Sequence, residues 1–586
     1  MERWVLLRKG GDFQAASEKF QISPRLACLI RNREVQGEDQ IEQYLNGSLL
    51  DLHDGMLMRD MDRAVDILRE KIEEGKKIRI IGDYDIDGVN AAYILLEGLE
   101  RMGADVDSDI PDRIRDGYGL NIELVERAYQ EGVDTVLTCD NGIAAAEEIA
   151  YGKRLGMTML VTDHHEVPYE EIDGEKQYRL PPGDAVIDPK REDCGYPFQG
   201  LCGAAVAYKL MEALYEASGR DSEDLDDLIV NVAIATVGDV MDLTDENRIF
   251  VKEGLAMLGR TQNPGLNALI ECTGLDKKHI SAYHIGFVLG PCLNAGGRLD
   301  TAKRSLALLR AKTRKEAAIL AGDLKALNDS RKEMTEKAVE EACRQIEDTD
   351  LLKDKVLVVY LPDCHESLAG IVAGRLRERY WRPVFVLTDG EEGVKGSGRS
   401  IEAYSMYEEL NRCGDLLERY GGHRLAAGLS LKKENAGRLR QALNSNCTLE
   451  EADLMEKVVI DMELPLSCVT EKFIEELKIL EPFGKGNTKP VFAIREAALS
   501  KLRILGKNRN VLKMQAEDGG GVKIDALYFG GIEKFKTCLE EKYGHGFAER
   551  FLDGKEPEAR MMIAYYPGIN EYMGRKSLQI VITHCQ

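Results

Sequence analysis

Long hydrophobic runs are missing from this chain. No stretch approaches the roughly 20 apolar residues needed to cross a bilayer, and the opening from Met1 to Phe13 has no signal-peptide core. A soluble cytoplasmic protein without a membrane partner is the expectation. Tryptophan is scarce, at 2 among 586 residues, while 44% hydrophobic content is ordinary for globular protein. The 13 cysteines are odd in number and form no C-x-x-C pair, which argues against a disulfide framework or a zinc site and for reduced thiols. Basic residues are outnumbered, 78 against 102 acidic, leaving a net charge of −24. That balance argues against a passive nucleic-acid coat, because phosphate binding needs concentrated Lys and Arg. An enzyme acting on nucleic acid needs only a local positive path, so the sites must decide. Internal repeats and low-complexity tracts are also absent.

At this length three or four domains are expected. Residues 1–70 read as an N-terminal helical region, with helical-period apolar residues over Ile22–Ile30 and Met61–Leu68. From 71 to 300 the pattern becomes α/β. Strands are expected at Lys77–Ile81, Val133–Cys139, Met157–Thr162 and Asp184–Asp188, with a helix over Asn90–Met102. Strands alternating with helices predict a parallel sheet. Residues 301–350 predict a long linking helix, with Ala317, Leu320, Ala321, Leu324 and Leu327 on one face. A second α/β unit follows over 351–450, with strands at Lys355–Tyr360 and Val384–Leu387. Alternating apolar segments over 451–586, such as Asn510–Gln515 and Leu578–Thr583, predict a small all-β barrel.

Acidic residues or histidines follow the first three strands directly, at the sheet edge where open α/β folds bind ligands. Asp83-Tyr-Asp85-Ile-Asp87-Gly88 places three carboxylates within five residues. They repel one another unless a hard cation such as Mg²⁺ or Mn²⁺ lies between them. A solvated turn is the bland alternative. An EF-hand loop fails because its twelfth position would be Ile94, which offers no oxygen. An aspartyl-phosphate phosphatase, which also opens D-x-D after a strand, leaves the histidines without a role. Asp140 follows the next strand and, in Asp-Asn-Gly, could alone be a turn. Asp163-His164-His165 ends the third strand, a rare pairing in a chain with 9 histidines, and a carboxylate beside a histidine is a normal way to set a metal ligand. Asp239 ends an apolar helical stretch. Several carboxylates plus histidine on one sheet edge suit hydrolysis of a phosphoester at two metal ions.

Asp85-x-Asp87, Asp140, Asp163-His164-His165 and Asp239, in that order, resemble the four motifs of the DHH phosphoesterases. Further segments resemble the RecJ branch: Gly82–Gly88, Ile110-Pro-Asp-Arg113 with Gly117-Tyr118-Gly119, Leu293–Leu299, Gly370–Leu376, Gly396–Ser400, Gly421–Gly428 and Pro482–Asn487. The resemblance spans nearly the whole chain. It implies a DHH domain, a linking helix, a DHH-associated domain and an OB-like barrel. It also implies a 5′-to-3′ exonuclease on single-stranded DNA, used in recombination and repair, working with two Mn²⁺ or Mg²⁺ ions and beside a helicase and a single-strand-binding protein. Carried over motif by motif, Asp85, Asp87, Asp140, His164 and Asp239 would hold the metals, with Asp140 as the bridge. Asp163 would orient His164, and His165 would face the phosphate or support a metal. Arg113, Asn294, Arg298, Ser397, Arg399 and His423 would bind substrate. Two positions depart from the pattern: Ile81 stands where other DHH branches carry His, and Cys292 stands where RecJ sequences often carry Arg. A DHH enzyme acting on short RNA or cyclic dinucleotides is the alternative, and a silent DNA-binding scaffold would require lost ligands where every motif carboxylate is present.

Overall fold

The computed structural model describes residues 2–113, 116–117, 119–172, 175–390, 393–506, 510–572 and 574–586. They fall into two compact units, Leu49–Glu456 and a second made of Met1–Ser48 together with Lys457–Gln586.

The larger unit is organised by two sheets. The first contains β1 (Ile78–Ile81), β2 (Val106–Asp109), β3 (Thr135–Cys139), β4 (Thr158–Thr162) and β5 (Ala185–Ile187). All neighbours are parallel in the order β2-β1-β3-β4-β5. β1 and β3 are buried at every position, as strands covered on both faces are, and the one charged residue among them, Arg79, is paired with Asp107 and Glu131. Helix α1 (Ile86–Arg101) follows β1 and is buried along almost its full length, packing against α2 (Gly203–Ala217) and α3 (Ile229–Gly238). A helix apolar on every side belongs inside a core. α1 starts at Ile86, before the expected Asn90, because the Asp85 carboxylate caps it by accepting from the N–H groups of Asp87 (2.9 Å) and Gly88 (3.1 Å). β2 was not expected, since Val-Asp-Ser-Asp at a half-exposed edge has no strand-like pattern.

Helix α4 (Gly290–Leu299) precedes the linker, which is α5 (Arg314–Glu347), 34 residues long. Ala317, Ala321 and Leu324 are buried against the first core, with Leu320 and Leu327 partly so, as the spacing predicts. Beyond it, β6 (Leu357–Tyr360), α6 (Glu366–Tyr380), β7 (Val384–Gly390), β8 (Gly393–Arg399), β9 (Arg419–His423) and β10 (Ala426–Leu431) build the second sheet. Its order is β9-β10-β8-β7-β6, with only β6 and β7 parallel. No helix among the described residues is long and apolar enough to cross a membrane.

The smaller unit holds a closed five-stranded barrel of β11 (Phe492–Leu505), β12 (Val511–Glu517), β13 (Lys523–Tyr528), β14 (Glu558–Tyr572) and β15 (Arg575–Cys585), sealed by pairing of β11 with β14. The N-terminal segment does not form the separate helical region expected over 1–70. Its first 48 residues belong to the barrel unit, and Glu2–Leu6 is a strand beside Glu456–Ile460. Leu26, Leu29 and Ile30 pack into the barrel core, while buried Arg33 meets Asp461 at 3.4 Å. Partners more than 400 residues away in sequence leave no local signal.

Candidate metal centre

The parallel sheet delivers its acids at the carboxyl ends of adjacent strands. Asp83, Asp85 and Asp87 follow β1, Asp140 follows β3, and Asp163, His164 and His165 follow β4. Asp239 caps the end of α3. Asp140 adopts φ of 60°, a conformation that L residues other than Asn and Asp seldom adopt.

Three overlapping groups place one ligand atom from each member within 4.8 Å of the others: Asp83 with Asp85 and Asp140, Asp87 with His164 and Asp239, and Asp140 with His164 and His165. Asp140 thus belongs to two sets. His164 Nε2 lies 3.0 Å from Asp140 Oδ1, 3.4 Å from Asp87 Oδ2 and 3.9 Å from Asp239 Oδ2. Its Nδ1 is buried, and the backbone of Leu201 lies beside the ring. Burial, with the neighbouring His165, lowers the His164 pKa to about 3, so the ring is neutral and offers a lone pair. The carboxylates show the opposite strain. Burial first, then mutual repulsion, raises Asp83 and Asp239 to about 8 and Asp87 to about 7, and pushes Asp140 well up. Asp83 Oδ2 is buried without a partner. An unpaired buried oxygen, clustered acids and a neutral imidazole are a donor set that a hard divalent cation completes.

Asp87 is fixed by the start of α2, where Gly203 N and Ala204 N each donate to its carboxylate at 2.7 Å. Sequence reasoning missed this support, which no motif marks. It requires close approach: a Cβ on Gly203 would fall 2.7 Å from Asp140 Cβ and 2.9 Å from its Cα. Gly203→Ala is therefore expected to destabilise the protein by roughly 1–3 kcal/mol and to lower turnover. Thermal melting and rate, measured on one preparation, check both.

Asp163 joins none of the ligand groups. Its Oδ1 accepts from His164 N (2.7 Å), His165 N (3.2 Å) and His165 Nδ1 (2.7 Å), and its Oδ2 accepts from Ile143 N (2.9 Å). The ring it holds is that of His165, not the expected His164. Against the cost of burial, this partnership lifts His165 to about 9 and keeps Asp163 below its ordinary value. Asp163→Asn turns one acceptor into a donor facing N–H groups. It should weaken Mn²⁺ binding by about 10–100-fold and cost about 1–3 kcal/mol of stability; calorimetric titration and melting would read the two effects. Asp188, after β5, is a further buried acid, raised to about 8 by burial and by Asp163. It carries the same acid-after-strand signal that marked the other sites.

The expected substrate residues are gathered less completely. Arg298 on α4 donates to the Ser367 carbonyl at 3.0 Å, and burial with Arg113 and Arg331 nearby lowers it to about 10. Arg399 is likewise lowered by burial and by Arg113 and Arg377. Its Nη1 lies 3.4 Å from Ser397 Oγ. Gly370 on α6 leaves room for the pair, since a Cβ there would fall 2.9 Å from Ser397 Oγ and 3.0 Å from Arg399 Nη2. Arg113 lies over the Tyr84 ring at 5.0 Å, and Tyr118 of the same motif lies outside the described residues. Asn294 is half-buried one turn before Arg298. His423 is exposed, with Nδ1 accepting from Leu425 N at 3.2 Å, and joins none of the ligand groups among the described residues. Of the two departures, Ile81 is buried in β1, and Asp83 two residues on joins a ligand group with Asp85 and Asp140. Cys292 is buried against Asn328, which also accepts from Arg331 Nε at 3.0 Å.

Comparison with known proteins gives matches to the DHH family N-terminal domain over residues 77–236, the DHHA1 domain over 353–448 and the RecJ OB domain over 460–584. The single-stranded-DNA-specific exonuclease RecJ of Bacillus subtilis (strain 168) is 34% identical over 585 residues, covering 99% of this chain and 70% of that protein. The protein of the same description from Salmonella typhimurium is 33% identical over 604 residues, covering 99% of each. Among solved structures, RecJ in complex with Mn²⁺ from Thermus thermophilus matches with a TM-score of 0.82 at 27% identity, covering 100% of this chain and 79% of that one. The Mg²⁺ complex of RecJ from the same organism matches at 0.76 and 26%, covering 100% and 78%.

Proposed function

The chain belongs to the RecJ family, and on that premise we propose that it is a metal-dependent exonuclease that degrades single-stranded DNA from the 5′ end and releases 5′-mononucleotides. The observation that carries the reading is the pair of carboxylate sets joined through Asp140 and His164, since two adjacent cation sites are what in-line phosphodiester hydrolysis uses. These residues would hold Mn²⁺ or Mg²⁺, which would supply positive charge to the scissile phosphate and an activated water. In this reading Asp85, Asp87, Asp140, His164 and Asp239 are ligands, joined by Asp83.

Around them the chain's own groups position the strand. The N–H groups of Gly203 and Ala204 hold Asp87 in place. Asp163 keeps the His165 imidazolium aimed at the site, where it can bind a phosphate oxygen and give a proton to the departing 3′ oxygen. Arg298 and Arg399, two cations that repel each other, grip the 5′-terminal phosphate together with Arg113 and Ser397, and guanidinium forks suit that task. Asn294 and His423 are kept as substrate contacts on the family pattern, and the barrel would add stacking surface for bases. The free cysteines support a reducing cytoplasmic setting. The −24 charge favours assisted loading beside a helicase and a single-strand-binding protein.

The test is digestion of a DNA oligonucleotide labelled at either end, with Mn²⁺, beside a duplex control. Early release of the 5′ label as a mononucleotide, with the duplex spared, is the expected result. Hydrolysis of a dinucleotide with long DNA untouched would keep the metal centre and move the chain to the small-substrate branch.

A further inference from the structure

The surface beside Asp239 carries large apolar groups that the core does not use. Val240, the next residue, is 61% exposed with φ of 58°, a conformation rare and costly for a β-branched side chain. Nearby, residues Ala282–Leu299 run as helix interrupted by a π-helical turn over Ile285–Leu289, a distortion that frequently marks functional sites. On this run Tyr283 and Phe287 are 64% and 66% exposed. Their rings stack on each other with centroids 4.8 Å apart and planes at 28°. Two large rings left mostly in water, four residues apart and already stacked on each other, are not part of any core.

Their position links them to the centre. A Cβ on Gly286 would lie 3.6 Å from Val237 Cγ1, two residues before Asp239, and the Ile86 side chain, between Asp85 and Asp87, lies against both Gly238 and Gly290. The same helical run ends in α4, which delivers Arg298. A strand whose phosphates occupy the carboxylate and arginine groups must direct its bases to a neighbouring surface, and unpaired bases seek flat apolar faces. Resting on the exonuclease reading above, we infer that Tyr283 and Phe287 form a base-stacking platform for the single strand being degraded. Bases paired in a duplex have no free face to offer, so the platform contributes to the choice of single strands.

The test compares a 5′-phosphorylated deoxyribonucleotide oligomer with an equal-length oligomer whose bases near the 5′ end are replaced by abasic sites. Binding is read by fluorescence anisotropy in chelator, so that nothing is cleaved. The full-length protein should bind the base-bearing strand about tenfold or more tighter, in line with aromatic stacking of single-stranded bases. Tyr283→Ala with Phe287→Ala should erase that difference and leave abasic binding unchanged, while Tyr283→Phe with Phe287→Tyr should retain it. Equal loss on both strands, or equal binding of both by the unmutated protein, overturns the platform and marks the rings as a surface for another protein. Cleavage with Mn²⁺ is scored separately: its absence removes the exonuclease reading, and the binding contrast still decides the platform.

Discussion

Asp140→Asn should lower single-stranded DNA cleavage by about a thousandfold or more, equivalent to roughly 4 kcal/mol at the barrier, while leaving the metal-free protein at least as stable as before. Asn keeps the shape of Asp and tolerates the left-handed backbone at this position better than Ala, so the change isolates the charge. That charge belongs to two of the three ligand groups and faces His164 Nε2 at 3.0 Å. Its loss therefore weakens both cation sites at once. Without metal the same charge is a liability, because it is buried beside Asp87, Asp85, Asp83 and Asp239, and each of them raises its pKa. Removing it relieves repulsion, so the melting temperature in chelator should hold or rise. A variant keeping a tenth of the activity would show that Asp140 is not the shared ligand. A fall in metal-free melting temperature would give its carboxylate a structural role instead.

Most of the candidate ligand acids were legible because they follow a strand that is itself legible; Asp239, at the end of α3, is the exception. β1, β3 and β4 are mostly buried and rich in Ile, Val, Leu and Thr, and the residues just after each have to lie at the ligand-binding edge. The same logic reaches Asp188, whose strand is only three residues long and whose acid has no motif around it. Supports formed across the chain were invisible. Nothing in Cys202-Gly203-Ala204 says that two backbone N–H groups will meet Asp87, 116 and 117 residues away. β8, β9 and β10 escaped because Gly-Ser-Gly-Arg and Gly-Gly-His-Arg lack the β-branched content that marks strands; in β8, Gly396 gives room to Leu387 and Leu429, and Gly398 to Phe385 and Met406. Family resemblance pointed to Arg298 and Arg399 as substrate contacts. It did not indicate that Arg331, on the linking helix, would stand near Arg298 and the buried Cys292.

Metal removal should make stability depend on pH in a direction opposite to ordinary acid denaturation. Asp83 and Asp239 titrate at about 8 and Asp87 at about 7 in the folded chain, against about 3.9 when unfolded. Between those limits the folded state holds more protons than the unfolded state. Metal-free stability therefore falls as pH rises from about 4 to 8, by about 1.4 kcal/mol per pH unit for each proton of difference. His165 acts in the same direction: its raised pKa contributes stability that is complete below about 6.5 and lost as pH passes about 9. Asp163, held low, contributes stability that is lost only under stronger acid. Divalent ions require the deprotonated ligands, so their stabilisation grows over the range in which the metal-free protein weakens. It reaches about 2.7 kcal/mol per site at a hundredfold excess over Kd. The expected measurement is a pair of melting curves, with Mn²⁺ and with chelator, that nearly coincide at pH 5 and separate by several degrees at pH 8. Asp140→Asn should narrow the separation and flatten the chelator curve. Two curves that stay parallel from pH 5 to 8 would mean that these carboxylates neither repel one another strongly nor share a cation, and the centre would have to be rebuilt from other residues.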